Sequence, residues 1–107
     1  MTQRIIRAME TDTGCLKILG HPTGRLLLRR EGYQVDMRAI ISAASRLGVL
    51  IELNANPWRM DMDWRHWRQA ADAGIPCVIT ADAHDTVDLE YLRGGILAAR
   101  KAGLTTA

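Results

Sequence analysis

The chain has no apolar stretch long enough to cross a membrane. Its longest runs, such as Val49-Leu50-Ile51, meet charge well before the roughly 18 apolar residues that a span needs. No secretory leader is expected either: the N-terminus carries Arg4 and Arg7 but reaches Glu10 and Asp12 without a continuous apolar core or a small-residue cleavage site. The expected compartment is therefore the cytoplasm. Cysteine is scarce, with only Cys15 and Cys77, and the pair reads as reduced core thiols inside strands rather than as a disulfide staple. Cys77 lies too deep in its strand to be offered as a nucleophile.

Strong charge of one sign is also lacking. Fourteen Lys and Arg against twelve Asp and Glu leave +2, too little to argue for nucleic acid by itself. The distribution is uneven, because residues 1–30 hold Arg4, Arg7, Lys17, Arg25, Arg29 and Arg30 against only Glu10 and Asp12. That half admits an anionic ligand or a solvated basic face. Repeats, low-complexity stretches and linkers are absent. With 48% hydrophobic and 24% charged residues the balance is that of a soluble domain, and 107 residues admit one small domain, or part of a larger one, over 1–107.

Hydrophobic spacing orders the elements. Ile5, Ile6 and Met9 recur at helical intervals behind Thr2 as a possible N-cap, which predicts a short helix over about residues 2–10. After a turn at 11–14, Leu16, Ile18 and Leu19 read as a short buried strand that stops at Gly20, before the polar loop His21-Pro22-Thr23-Gly24-Arg25. Leu26-Leu27-Leu28 has no assignable state. Asp36 can cap a helix with Met37, Ile40, Ile41, Ala44 and Leu47 on one face and Gly48 as its stop. Val49 to Leu53 is a strand ended by Asn54-Ala55-Asn56-Pro57. Asp63 can cap a third helix with Trp64, Trp67, Ala70 and Ala71 on one side. Cys77 to Thr80 forms a third strand that runs into Ala81-Asp82-Ala83-His84-Asp85, and Val87, Leu89, Leu92, Ile96 and Ala99 mark a last helix ending near Gly103. Strands joined by helical crossovers require a parallel sheet, so the fold class is α/β, built from parallel βα units. The nearly all-apolar strands predict cover on both faces, or by an outer ring of helices.

In such folds ligands bind beyond the carboxyl ends of the strands. His21 and Arg25 follow the first strand, Asn54, Asn56 and Arg59 the second, and Asp82, His84 and Asp85 the third, so all of them gather on one rim. In an extended strand end Asp82 and His84 point to the same face. That spacing suits a divalent metal, with His21 as a third ligand from a neighbouring loop, and zinc, manganese and iron all accept imidazole and carboxylate. The alternative is an Asp that caps the last helix beside a surface histidine, and His21 equally reads as a loop histidine with no partner. Arg25 and Arg59 stand on the correct rim to hold a phosphate or to be solvated loop charges. Glu52, within a strand, is open to a structural hydrogen bond or a site role. His66 reads as a helix-surface residue, and Trp64 with Trp67 as a packing stripe rather than a platform for bases.

Three segments carry a resemblance: Leu19-Gly20-His21-Pro22-Thr23-Gly24-Arg25, Ile51-Glu52-Leu53-Asn54-Ala55-Asn56-Pro57 and Ile79-Thr80-Ala81-Asp82-Ala83-His84. In this order they resemble the last motifs of the PHP (polymerase and histidinol phosphatase) family, most closely the PHP domain of bacterial family X DNA polymerases, over roughly residues 3–105. The resemblance implies a distorted (β/α)7 TIM-like barrel whose C-terminal rim binds up to three divalent ions (zinc, manganese or iron) and hydrolyses phosphoesters. It implies His21, Asp82 and His84 as metal ligands and places Arg25, Asn54 and Arg59 in motifs that line the substrate pocket. The associated activity is 3′–5′ exonuclease or DNA end processing. The chain departs from the family in having no His-x-His, which opens the family pattern, and three strands cannot close a seven-stranded barrel. It therefore looks like the C-terminal half of a PHP domain. Its expected partner is the missing N-terminal half or a second copy of itself, and its exposed sheet edges imply self-association. The alternatives are a catalytically inactive remnant or assembly half and, last, a DNA-binding module, which would need strongly salt-dependent affinity.

Overall fold

The computed structural model describes residues 1–106. In chain order the elements are α1 (Thr2–Glu10), β1 (Ile18–Leu19), α2 (Met37–Leu47), β2 (Leu50–Asn54), α3 (Trp64–Asp72), β3 (Cys77–Thr80), a 3-10 turn (Thr86–Glu90) and α4 (Tyr91–Lys101). Local chemistry sets the boundaries of α2. The Asp36 side chain accepts from Ala39 N, and Gly48, at φ 69°, returns its N–H to Ala44 O, a reversal that glycine makes without a Cβ clash. Asp63 caps α3 in the same way, through Arg65 N. Thr2 does not cap α1. It begins the helix, and its hydroxyl instead accepts from Asp36 N at 2.9 Å, tying α1 to the start of α2.

The three strands are parallel in the order β1-β2-β3, with Leu19 opposite Ile51 and Asn54 opposite Thr80. Consecutive right-handed crossovers in a sheet of this order put their helices on one side. The burial follows: Ile51 and Leu53 of β2 are sealed against Ile40, Ile41 and Ala44 of α2, Trp67 and Ala70 of α3 and Ala99 of α4. Trp67 is fully buried, and truncating a side chain of this size in a core costs about 3–5 kcal/mol. Gly95 lets α4 approach the sheet, since a Cβ there would lie 2.6 Å from Ile79 Cγ2 and 2.8 Å from Ala55 Cβ. The other face carries Glu52, Asn54, Val78 and Thr80, alternate positions that also run toward the site.

Several expectations are corrected. β1 is only two residues long and is not buried: Leu16 lies outside it and is exposed, as is Ile18. Cover by helices on both faces is not what the chain forms, because its crossovers lie on one side. Cys15 is exposed in the turn before β1 rather than inside a strand, whereas Cys77 is in β3 with its thiol pushed up to about 11 by burial; both are free. The last helix is broken into a 3-10 turn and α4, and Val87, Leu89 and Ile96 of its apolar pattern remain exposed. Trp64 is exposed too, stacked under Lys101 at 4.6 Å. Leu26-Leu27-Leu28 forms a tight turn closed by a bridge between Leu26 and Arg30, with Leu28 fully exposed. No helix among the described residues is long and apolar enough to cross a membrane.

Candidate functional site

The loops after the three strands converge as their order predicts. They line an open pocket of about 390 Å³ with His21, Leu26, Arg29, Asn56, Trp58, Arg59, Asp82 and His84. His21, Asp82, His84 and Arg59 are therefore neighbours in space although up to 63 positions apart in the chain.

The loop that bears His21 is fixed by two acids from the second βα unit. Glu52 Oε2 accepts from His21 N at 2.6 Å while Oε1 accepts from Thr80 Oγ1 at 2.6 Å, so one carboxylate ties β2, β3 and the first loop together. This is the structural role left open for Glu52. Asp61 is fully buried, and its Oδ2 accepts from Thr23 N, Thr23 Oγ1 and Gly24 N at 3.0, 2.9 and 2.9 Å. Its Oδ1 has no hydrogen-bond partner among the described residues. His21 itself is held at φ 23°, a left-handed backbone that a side chain tolerates at a cost of about 1–2 kcal/mol. Its imidazole makes no hydrogen bond among the described residues and faces the pocket.

Asp82 follows β3 after Ala81, at φ 48°. The premise that Asp82 and His84 continue an extended strand therefore fails, because the chain turns at Asp82; both side chains reach the pocket through that turn. Asp82 Oδ2 is paired with Arg59 Nε at 3.2 Å and accepts from Asn54 Nδ2 at 3.1 Å. Asp82 caps no helix; Asp85 caps the 3-10 turn through Val87 N, and Asp88 accepts from His84 N at 3.0 Å. His84 Nδ1 lies 2.9 Å from Asp82 O. A carbonyl only accepts, so in the neutral ring the proton sits on Nδ1 and Nε2 keeps its lone pair, the arrangement of a metal-binding imidazole.

Arg25 and Asn54 do not line this pocket. The Arg25 guanidinium is engaged by Arg59 O at 2.8 Å, by Asp63 Oδ2 at 3.1 Å and by Met60 O, so it staples the loop after β2 to the loop after β1. Hydrogen bonds from Arg65, with Arg25 adding a further one, hold the Asp63 carboxyl well below the usual carboxylate range. Asn54 is fully buried and orients Asp82, and its Oδ1 accepts from Asn56 N at 3.0 Å. Three participants were not apparent from sequence: Asp61, Arg29 and Trp58. Asp61 lies between Met60 and Met62, and nothing in its sequence neighbourhood sets it apart from Asp63. Arg29 lies 5.5 Å over the Trp58 ring at the pocket mouth.

The donor types fit a divalent ion, since two imidazoles and a carboxylate line one pocket. Their placement is incomplete: among the described residues no three His, Cys, Asp or Glu side chains lie close enough together to hold one. Asp82, the carboxylate of the set, is already neutralised by Arg59. The lining carries two guanidiniums against that single acid, a balance that favours an anion.

No family model matches the chain. Over 89 residues, 83% of its length, it is 42% identical to the DNA polymerase/3′-5′ exonuclease PolX of Bacillus subtilis (strain 168). It spans 16% of that protein, to a limited segment of which it is therefore related in sequence.

Proposed function

We propose that the chain is part of a PHP-type, metal-dependent phosphoesterase domain, one section of a distorted (β/α)7 barrel, that processes DNA ends or removes 3′ nucleotides in a family X polymerase context. The observation that carries this reading is the 42% identity to a polymerase/3′-5′ exonuclease along most of the chain. Its three resemblance-bearing loops converge on one pocket that holds histidines, an aspartate and arginines.

His21, Asp82 and His84 are this chain's share of the ligands for zinc, manganese or iron, with further ligands supplied by other strands. A divalent ion supplies charge neutralisation at a phosphoryl group and acidification of water. The protein's own part is positional and electrostatic. Glu52 and Asp61 hold the His21 loop, Asn54 orients Asp82, the Asp82 carbonyl sets the His84 tautomer, and Arg59 with Arg29 attracts phosphate charge. The partner is the N-terminal half of the barrel or a second copy. The flanking strands β1 and β3 each have one neighbour in the sheet, and exposed Leu89 and Ile96 support such an association.

A second reading, an inactive remnant or assembly half, is favoured by one observation: Asp82 is engaged by Arg59 instead of standing open with the histidines. The test is release of 3′ nucleotides from a 5′-labelled oligonucleotide by the Mn2+-loaded chain mixed with the N-terminal half of a PHP domain. Release that His84→Ala abolishes is expected. Release no greater than that of His84→Ala, with metal still bound, selects the second reading.

A further inference from the structure

The pocket lining carries more positive than negative charge, and its guanidiniums are only partly engaged within the protein. Asp82 holds Arg59 through Nε at 3.2 Å, and no hydrogen bond of the two terminal Arg59 nitrogens is found among the described residues. Arg29 is exposed and forms no ion pair or side-chain hydrogen bond among them; it stands 5.5 Å over the Trp58 ring, which is itself 49% exposed. Backbone contacts fix both residues. Arg29 N and Arg30 N donate to Leu26 O at 3.0 and 2.8 Å, Leu27 N donates to Trp58 O at 2.6 Å, and Trp58 N donates to Asn56 Oδ1 at 3.0 Å. The loops after β1 and β2 thus present a guanidinium and an indole as one preformed wall. An open aromatic face beside cations is the pairing that receives nucleotides, because the ring stacks a base while the cations take the phosphate.

We infer that this pocket is a metal-independent seat for a nucleotide with a terminal phosphate, free or at the end of a strand. Arg29 and the terminal nitrogens of Arg59 take the phosphate oxygens, and the His21 imidazole adds an N–H donor. The base stacks on Trp58 beside Leu26. Asp82 repels the anion less than a free carboxylate would, since Arg59 already offsets its charge, and it steadies that guanidinium from the Nε side. Two guanidiniums against one paired carboxylate leave a net attraction for phosphate that requires no divalent ion. The volume, about 390 Å³, is of the order that small-ligand pockets occupy. The inference goes beyond the metal-dependent reading: it assigns binding to residues of this chain alone, and no hydrolysis follows from it.

The test is calorimetric titration of the chain with deoxyadenosine monophosphate in buffer containing EDTA. Wild type, Arg29→Gln and Trp58→Leu are compared; Arg59 is left intact because Asp82 depends on it. Wild type binds the monophosphate more tightly than it binds inorganic phosphate or deoxyadenosine. Arg29→Gln weakens the monophosphate and inorganic phosphate alike, by about five-fold or more. Trp58→Leu weakens the monophosphate by about five-fold or more, the low end for base stacking, and leaves inorganic phosphate unchanged. Trp58→His, with a smaller ring, is the second variant and moves in the same direction if Trp58→Leu does not fold. Thymidine pentamers with and without a 5′ phosphate separate the two sources: tighter binding of the phosphorylated pentamer marks a strand end, and binding of the monophosphate alone marks a free nucleotide. No binding of the monophosphate in EDTA, or equal affinity in all three chains, overturns the inference. Binding that appears only when Mn2+ is added overturns it too and leaves the metal-dependent reading standing. Binding in EDTA by a chain that releases no nucleotide alongside the N-terminal half keeps the seat and removes that reading.

Discussion

Glu52 Oε2 lies 2.6 Å from the backbone N of His21, so a side chain of the central strand fixes a residue 31 positions earlier in the chain. The same carboxylate accepts from Thr80 Oγ1, which leaves it no role as a free acid. Glu52→Ala removes both acceptors and leaves His21 N without its side-chain partner. The variant is expected to lose about 1–3 kcal/mol in urea unfolding and to bind Mn2+ more weakly, because the His21 loop loses its anchor. Unchanged stability and affinity would show that the loop is held elsewhere.

Asp61 carries the other anchor. Asp61→Ala leaves Thr23 N and Gly24 N without their acceptor in a closed interior. The expected cost is about 3 kcal/mol or more, a fall in Tm on the order of 10 °C or more for a domain of this size. Thermal melting followed by circular dichroism measures it directly.

The adjacent glycines of α4 separate packing from propensity. A Cβ on Gly95 would meet Ile79 and Ala55 at 2.6 and 2.8 Å, whereas one on Gly94 would meet nothing within 4 Å. Gly95→Ala is therefore expected to destabilise by about 1–3 kcal/mol, and Gly94→Ala to stabilise by up to about 1 kcal/mol. Chemical denaturation of the pair distinguishes them by sign.

Asp63 sets an acid limit. Its folded-state pKa lies below the ordinary 3.8, so the ionised form favours the fold. That contribution is fully present above about pH 4 and is lost as pH falls toward the folded-state value. Asp63→Asn is expected to be less stable than wild type at pH 7, with the gap narrowing below about pH 4. A gap constant from pH 7 to pH 2 would contradict this.

Elements with local signals were legible in the sequence: Asp36 and Gly48 bound α2, and Asp63 starts α3, because a cap needs only its own neighbours. The convergence of His21, Arg59, Asp82 and His84 was legible as well, since strand order alone brings loops to one rim. What escaped depends on distant partners. Asp61 reaches Thr23 and Gly24 across 38 and 37 positions. Arg25 is taken by Asp63 and two carbonyls of the loop after β2, which no spacing reveals. β1 is shorter than its apolar residues suggest: Leu16 and Ile18 are exposed, and Leu19 alone of the three packs against the core.

The central claim is that His21, Asp82 and His84 form one side of a divalent-metal site. Its most direct test is manganese content per chain after purification in Mn2+-containing buffer, wild type against His84→Ala. Near-stoichiometric metal in wild type that His84→Ala loses is the predicted result. Metal no higher in wild type than in His84→Ala would contradict the account.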